Sequence, residues 1–339
     1  MNIKNLVRSN ILELQPYLSL RDSRIFDSPV FLDVNENPYG KYNRYPDSRQ
    51  LRLKEKISEI KKINSSKIAL GNGSDELIDL IIKIFCTPGK DSISVMKPSF
   101  SMYDFYAQIN ENKVIKLDLN ENFQLDTAEF LNKTKNSEAK ILFLCSPNNP
   151  TGNTLENIEF FIQNFNGIIV VDEAYIEFCS KKTIISLLEK YENLIILQTL
   201  SKAWGLAGLR IGIAMSSEFI ISLINKVKAP YNISEISMKT ALLHLQMKED
   251  FDDKLLEILN EKSKLYLQLQ KISAIQKIFP SDANFFLIQF NNAERVFEIL
   301  LQNNILTSKR FPEIKNALRI NVGSAEENEK LLTILKTIS

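Results

Sequence analysis

Leu197-Gln-Thr-Leu-Ser-Lys-Ala-Trp-Gly-Leu-Ala-Gly-Leu-Arg-Ile-Gly-Ile213 joins a strand end to a hydroxyl-rich turn holding one lysine, Lys202, and then to a second apolar run. The residues before it, Leu194 to Leu197, read as a buried strand that stops where the short polar side chains begin. Thr199 and Ser201 supply hydroxyl donors, and Arg210 supplies a planar guanidinium able to fork onto a phosphate. Lys202 sits between them, where neighbouring positive charge favours loss of its proton and attack on a carbonyl carbon. Taken alone, Ser-Lys is an ordinary surface turn, so the reading depends on what other strand ends carry.

Strand-like runs at 92–96, 114–117, 141–145, 168–171, 194–197 and 210–214 are mostly separated by helix-length amphipathic segments. That alternation predicts an α/β fold, a large domain with a mostly parallel sheet sandwiched by helices. Ligands in such folds gather at the carboxyl ends of the strands. After about residue 235 the pattern changes to a long amphipathic helix at 252–271, strands at 285–290 and 318–322, and helices at 293–303 and beyond Ser324. Ser324 and Glu327 fit a capping box. The expected division is an N-terminal arm over 1–30, a large domain over 31–235 that carries these strand ends, and a smaller α+β domain over 236–339 that packs with the N-terminal segment. Within the arm, Ile3 to Leu12 reads as one short amphipathic helix.

The chain has 339 residues, 44% of them apolar and 24% charged, and a formal net charge of +1, which leaves no bulk field to draw nucleic acid or an anionic membrane. Any basic site is therefore local. Cys86, Cys145 and Cys179 lack a paired-ligand spacing and read as free thiols in a reducing compartment, and a single histidine, His244, argues against a histidine metal cage. No apolar run reaches membrane-spanning length and the N-terminus carries no export pattern, so a cytoplasmic protein is expected.

Further strand ends carry chemistry. Ser146-Pro-Asn-Asn-Pro-Thr-Gly152 holds Asn149 between two prolines, Val171-Asp-Glu-Ala-Tyr175 ends a strand in Asp172 with Tyr175 just beyond, and Lys97-Pro-Ser-Phe100 puts a ring after a fourth. Gly71-Asn-Gly-Ser-Asp75 opens a helix whose free N–H groups, with Ser74 as a cap, form a second phosphate cradle. Each has a bland explanation by itself: a cap, a packed ring, a salt-bridged arginine. Pyridoxal phosphate uses all of them together, needing a lysine for its aldehyde, a carboxylate for its ring nitrogen, donors for its phenolate, an aromatic face, and a helix N-terminus with a cation for its phosphate.

From Pro16-Tyr17 to Val322-Gly323 the chain resembles the fold-type I pyridoxal phosphate-dependent aminotransferases, and among them the histidinol-phosphate aminotransferases. The resemblance rests on Asn35-Glu-Asn-Pro38, Tyr45-Pro46, Gly73-Ser-Asp-Glu76, Phe85-Cys-Thr-Pro-Gly-Lys-Asp91, Ser146-Pro-Asn-Asn-Pro-Thr-Gly152, Asp172-Glu-Ala-Tyr-Ile-Glu-Phe178, Thr199-Leu-Ser-Lys202, Gly205-Leu-Ala-Gly-Leu-Arg210 and Leu318-Arg-Ile-Asn-Val-Gly323. It implies Lys202 as the Schiff-base lysine, Asp172 on the pyridinium nitrogen, Asn149 and Tyr175 on the phenolate oxygen, and Phe100 stacked on the ring. It implies phosphate contacts from Ser74, Asp75, Thr199, Ser201 and Arg210, and from Tyr45 of a neighbouring subunit, hence a homodimer with shared sites. Arg319 would grip the acidic group of the substrate, with Tyr17 and Asn35 beside it. A second arginine of the family falls on Ser308 in an ungapped match, leaving Lys309 or Arg310 to supply that cation. The implied reaction is L-histidinol phosphate with 2-oxoglutarate giving imidazole acetol phosphate and glutamate. Alternatives on the same scaffold are an aminotransferase for aromatic or other amino acids and a threonine-phosphate decarboxylase. A ligand-sensing module without catalysis, and an oxidoreductase resting on Gly71 and Gly73, are weaker.

Overall fold

The structure, a computed structural model, describes residues 2–17, 19–23, 27, 29–135 and 137–338. Seven strands form the larger sheet: β1 (Ile68–Asn72), β2 (Ser92–Lys97), β3 (Lys113–Asp118), β4 (Ala139–Cys145), β5 (Ile168–Asp172), β6 (Leu194–Thr199) and β7 (Ile211–Ser216), in the order β1-β7-β6-β5-β4-β2-β3. β7 runs antiparallel to both neighbours, and the other recorded pairings are parallel. Strands β5, β6 and β7 are buried along their whole length, which is why Ile-Ile-Val-Val and Leu-Ile-Ile-Leu show no polar alternation.

β1 was not among the expected strands, because Gly71 interrupts its apolar run. The glycine is there for packing: a Cβ at Gly71 would lie 2.6 Å from Leu77 Cγ, so only a bare Cα lets the helix Gly73–Phe85 close down onto its own strand.

A second sheet, β8 (Ile275–Ile278), β9 (Phe285–Phe290), β10 (Ser308–Lys309) and β11 (Ala317–Asn321), is antiparallel with order β10-β11-β9-β8. Leu269, Ile288, Phe290, Leu300, Leu318 and Leu335 form its own core beneath the helices Lys248–Leu269, Ala293–Gln302 and Ala325–Lys336. The expected capping box is present, with Ser324 Oγ accepting from Glu327 N and the Glu327 carboxylate accepting from Ser324 N.

The N-terminus departs from expectation. Ile3–Leu6 is a 3-10 turn and Ser9–Glu13 a separate helix. Ile3, Val7 and Ile11 join the core of the seven-stranded sheet, not that of the C-terminal sheet. Val7 and Arg8 are extended between the two short elements, and Arg8 pins the segment by donating to Ile84 O at 3.1 Å and Lys83 O at 2.8 Å.

Candidate active site

β7 runs against its neighbours, so its first residues lie beside the last residues of β1 and β6: Asn72 faces Ile211 and Thr199 faces Gly212. The neighbouring registers put Cys145 opposite Asp172 and Asp172 opposite Leu197. Strand ends far apart in sequence therefore share one edge of the sheet. A cavity of about 280 Å³ opens there, lined by Phe100, Asn149, Asp172, Tyr175 and Lys202, with residues of an anion cradle on one side and two arginines on another.

Ser74, Asp75, Thr199, Ser201 and Arg210 form the cradle. Gly73 has φ +80° and donates its N–H to Arg210 O at 2.9 Å; a Cβ there would stand 2.5 Å from Arg210 Nη2. A Cβ on Gly212 would stand 2.5 Å from Ser74 N. The two glycines thus let the arginine loop meet the start of a long helix, where unpaired N–H groups and the helix dipole favour an anion. Ser74 was expected to cap this helix and does not: its Oγ is buried without a partner, and Asn72 N donates to the Glu76 carboxylate instead. Thr199 Oγ1 donates to Ser201 Oγ at 2.9 Å and accepts from Ser201 N at 3.0 Å, fixing both hydroxyls.

Asp172 is 3% exposed at the end of β5. Its Oδ2 accepts from Tyr103 Oη at 2.7 Å and its Oδ1 from Ala174 N at 3.0 Å. Burial raises the carboxyl pKa above its ordinary value, and the Tyr103 hydroxyl, Ala174 N–H and Lys202 act against that. Lys202 Nζ stands 5.7 Å from the centre of the Tyr175 ring. Desolvation, then Arg319, and more weakly Arg210, lower its pKa, with Asp172 opposing. Although much of the lysine is accessible from the cavity mouth, desolvation first and then the facing arginines loosen the proton on its amine. Burial likewise raises the Tyr175 phenol, so it stands as a neutral donor.

Tyr103 went unnoticed in the sequence. It is 1% exposed, stacked on Phe143 at 4.7 Å and edge-on to Phe100 at 5.5 Å. The available signal was position: three residues after Phe100, on the first turn of the helix Met102–Ile109, a side chain returns to the same face.

Arg319 and Arg310 both line the cavity. Ser308 faces Arg319 and Lys309 faces Leu318 across the β10–β11 pair, and Arg310 N continues the ladder to Ala317 O at 3.0 Å. Alternation along the strand then puts Arg310 on the Arg319 face. Arg319 Nη1 donates to Asn149 Oδ1, Arg310 Nη2 donates to Ser308 Oγ, and the Nε of each arginine is buried without a partner. Neither arginine is ion-paired among the described residues. Desolvation, then Arg319, lower the Arg310 pKa. Two facing cations with no ion-paired acid among the described residues put a second concentration of positive charge on the cavity wall, Glu313 opposing it only from a distance.

Lys309 does not reach it. Being one residue out of phase, it lies 3.5 Å from Glu298 and 4.1 Å over the Phe297 ring. Tyr17 and Asn35 are also away from the cavity within one chain: Tyr17 is 58% exposed and lines a different cavity, and Asn35 sits in a left-handed turn with φ 58°. Tyr45, assigned to a neighbour's site, stacks on Tyr231 at 4.6 Å and is half exposed. Cys145 lines the cavity floor, while Cys86 is buried elsewhere in the first core; all three cysteines are free. Among the described residues no cluster of three or more side chains could hold a metal ion, and no helix is long and apolar enough to cross a membrane.

Residues 30–335 match the model of the family described as aminotransferase class I and II. The chain is 45% identical, over 99% of both chains, to a protein of Flavobacterium psychrophilum named histidinol-phosphate aminotransferase. The crystal structure of the histidinol-phosphate aminotransferase from Clostridium acetobutylicum is similar with a TM-score of 0.79 and 25% identity, covering 88% of this chain and 91% of that one. The Sinorhizobium meliloti histidinol-phosphate aminotransferase, solved in complex with pyridoxal-5'-phosphate, shares the fold with a TM-score of 0.81 at 20% identity, covering 87% and 84%.

Proposed function

The chain belongs to the aminotransferase class I and II family, and from that premise we propose that it moves an amino group between L-histidinol phosphate and 2-oxoglutarate with pyridoxal phosphate as cofactor. The observation that carries the substrate half of this reading is the pair of unpaired arginines, Arg310 and Arg319, on the cavity wall away from the helix cradle. A cavity with two anion subsites suits a cofactor phosphate in one and an acidic substrate in the other.

The residues present fit the cofactor. Gly73 and Gly212 keep the cradle open where any Cβ would fill it, and the buried Ser74 Oγ has no partner of its own. Ser74, Asp75, Thr199, Ser201 and Arg210 would hold the phosphate, Phe100 the ring face, and Asn149 and Tyr175 the phenolate oxygen. When bound, the cofactor supplies an aldehyde that accepts amino groups and a protonated ring that draws electrons from the carbon next to them.

Asp172 would keep the proton on the ring nitrogen, since a buried carboxylate is satisfied by an opposite charge beside it. Lys202 would hold the cofactor through its aldehyde and, as a free amine, would take up the proton of the substrate carbon and give it back. Its lowered pKa suits both duties, because it needs a free amine. Tyr175 and Asn149 would keep the ring from tilting during that transfer. Arg310 and Arg319 would orient the substrate through its phosphate in one half of the cycle and a carboxylate in the other.

Tyr45 would complete the phosphate site of a second subunit. The exposed run of Val30, Leu32, Tyr39, Tyr42 and Tyr45 supports such a shared dimer face. The three free thiols suit a reducing, cytoplasmic setting.

A spectral titration tests the reading. The holoenzyme's visible band should give way to the pyridoxamine form on adding L-histidinol phosphate and return with 2-oxoglutarate. A response to phenylalanine, or carbon dioxide release from threonine phosphate, without a response to histidinol phosphate would overturn the substrate assignment.

A further inference from the structure

A larger cavity, about 690 Å³, lies away from the active site among the helix Leu51–Lys61, the helix Glu218–Val227 and the start of β1. Three lysines line it, Lys54, Lys226 and Lys228, together with Arg49 and one carboxylate, Glu55; Lys226 is committed to Ile11 O and Leu12 O, while Lys54 and Lys228 are each only 8% exposed. Lysine is almost never so buried without a partner. Lys228 caps the C-terminal end of its helix and gives one of its three donors to Gln50 Oε1 at 2.8 Å. Lys54 lies one turn after Gln50 on the same helix face. Among the described residues the Lys54 ammonium makes no side-chain hydrogen bond, its backbone N–H alone donating to Gln50 O at 2.9 Å, and neither Lys54 nor Lys228 is ion-paired. Burial first, then Lys54 as a neighbour, bring the Lys228 amine down to about 7, while burial brings Lys54 down to about 8. The carboxylates nearest in effect, Asp47 for both and Glu76 for Lys228, oppose this without cancelling it.

Another wall residue, Asn225, has its amide oxygen buried without a partner. Its oxygen and nitrogen are interchangeable by a flip of the amide, so it can present a donor to the same space. Lys54, Lys228, Asn225 and Ser65 share the wall of this cavity, where Arg49 and Lys226 add positive charge against the single Glu55 carboxylate. Point-charge ammonium groups suit a compact oxyanion with several acceptor oxygens better than one planar carboxylate.

We propose that this cavity is a second binding site, separate from the transamination site, for phosphate or a small phosphate monoester held between Lys54 and Lys228. The Gln50 amide that accepts from Lys228 also donates to Asn232 Oδ1 at 3.1 Å, and Asn232 donates to the Glu76 carboxylate at 2.8 Å. Glu76 belongs to the helix whose first turn forms the active-site cradle, so the two sites are joined by one polar chain.

The test uses the holoenzyme, with inorganic phosphate as probe and sodium chloride at matched ionic strength as control. Thermal unfolding of the wild type should rise with phosphate in a saturable manner, since a ligand of the folded state stabilises it. K54M and K228M should each move the half-saturating concentration up by at least about tenfold, as expected for one lost charge-assisted contact, while R310M should not. In parallel, amine-directed labelling of the wild type should show Lys228 protected by phosphate. Glycerol 3-phosphate protecting at lower concentration than phosphate would identify an ester as the ligand, and the reverse order the free ion. Equal curves for wild type, K54M and K228M, a rise matched by chloride, or a response lost only in R310M would each overturn the proposal. If the lysine variants do not fold, unprotected Lys228 in the wild type overturns it alone.

Discussion

Tyr103 Oη stands 2.7 Å from Asp172 Oδ2, both side chains being buried and only the aspartate lining the cavity. The tyrosine touches no part of the cavity yet determines how the carboxylate at the end of β5 is held. Burial alone drives Asp172 towards its neutral form, and this hydroxyl is the largest influence keeping it charged.

Tyr103→Phe should therefore leave the fold intact and weaken the charged state of Asp172. A hydrogen bond to a charged group contributes about 1.5–3 kcal/mol, which corresponds to roughly ten- to a hundredfold in kcat/KM. The same variant should shift the pH titration of the holoenzyme's visible absorption. An unchanged absorption titration, whatever the activity, would show that Tyr103 only fills space.

Arg310→Met should raise the KM for the phosphorylated amine, with a loss in kcat/KM on the order of ten- to a hundredfold from one charge-assisted contact. Lys309→Met removes an exposed pair with Glu298 and the contact with the Phe297 ring, both outside the cavity, and should change the same quantity by less than about fivefold. Steady-state kinetics on both variants decides between them, and a larger effect at Lys309 would mean that the Ser308–Arg319 register is not the one that binds substrate.

Lys202→Ala and Tyr45→Ala should each be inactive or nearly so as pure proteins. If Tyr45 serves the neighbour's site, mixing the two under conditions that exchange subunits restores one intact site per hybrid dimer. Random pairing then returns about a quarter of the wild-type activity. No recovery, in mixtures shown to contain hybrids, would leave Tyr45 a role within its own subunit.

Stability should depend on pH through Lys228. Its folded pKa of about 7 lies below the ordinary 10.5, so between those values the unfolded chain holds a proton that the folded chain has released. Stability thus rises with pH across that window and is lowest below about 7. In phosphate-free buffer, Lys228→Met should be more stable than wild type at pH 6, and the difference should shrink towards pH 10. Denaturant midpoints measured across this range check it; a difference that stays flat with pH would mean that Lys228 is not buried as a charge.

Much of this molecule can be read directly from its chain. Ile168–Val171 and Leu194–Leu197 are legible as central strands because burial on both faces permits no polar alternation. Lys202, Asp172, Asn149 and Tyr175 are legible because each follows such a strand, and an α/β sheet gathers those ends along one edge. β1 is not legible, because the glycine that lets the Gly73 helix close upon it also breaks its apolar pattern.

What the chain determined alone was the kind of chemistry, since the residue types and their places after strands require no knowledge of what faces what. What only the tertiary structure decided was which of several similar side chains enters the site. Arg310 rather than Lys309 stands beside Arg319, because alternation in an antiparallel pair turns on a register of one residue. Tyr103 supports Asp172 because a helix turn and a strand end 69 residues apart meet under the sheet edge. Such pairings arise from packing between distant segments, and local sequence carries no signal of the distance between them.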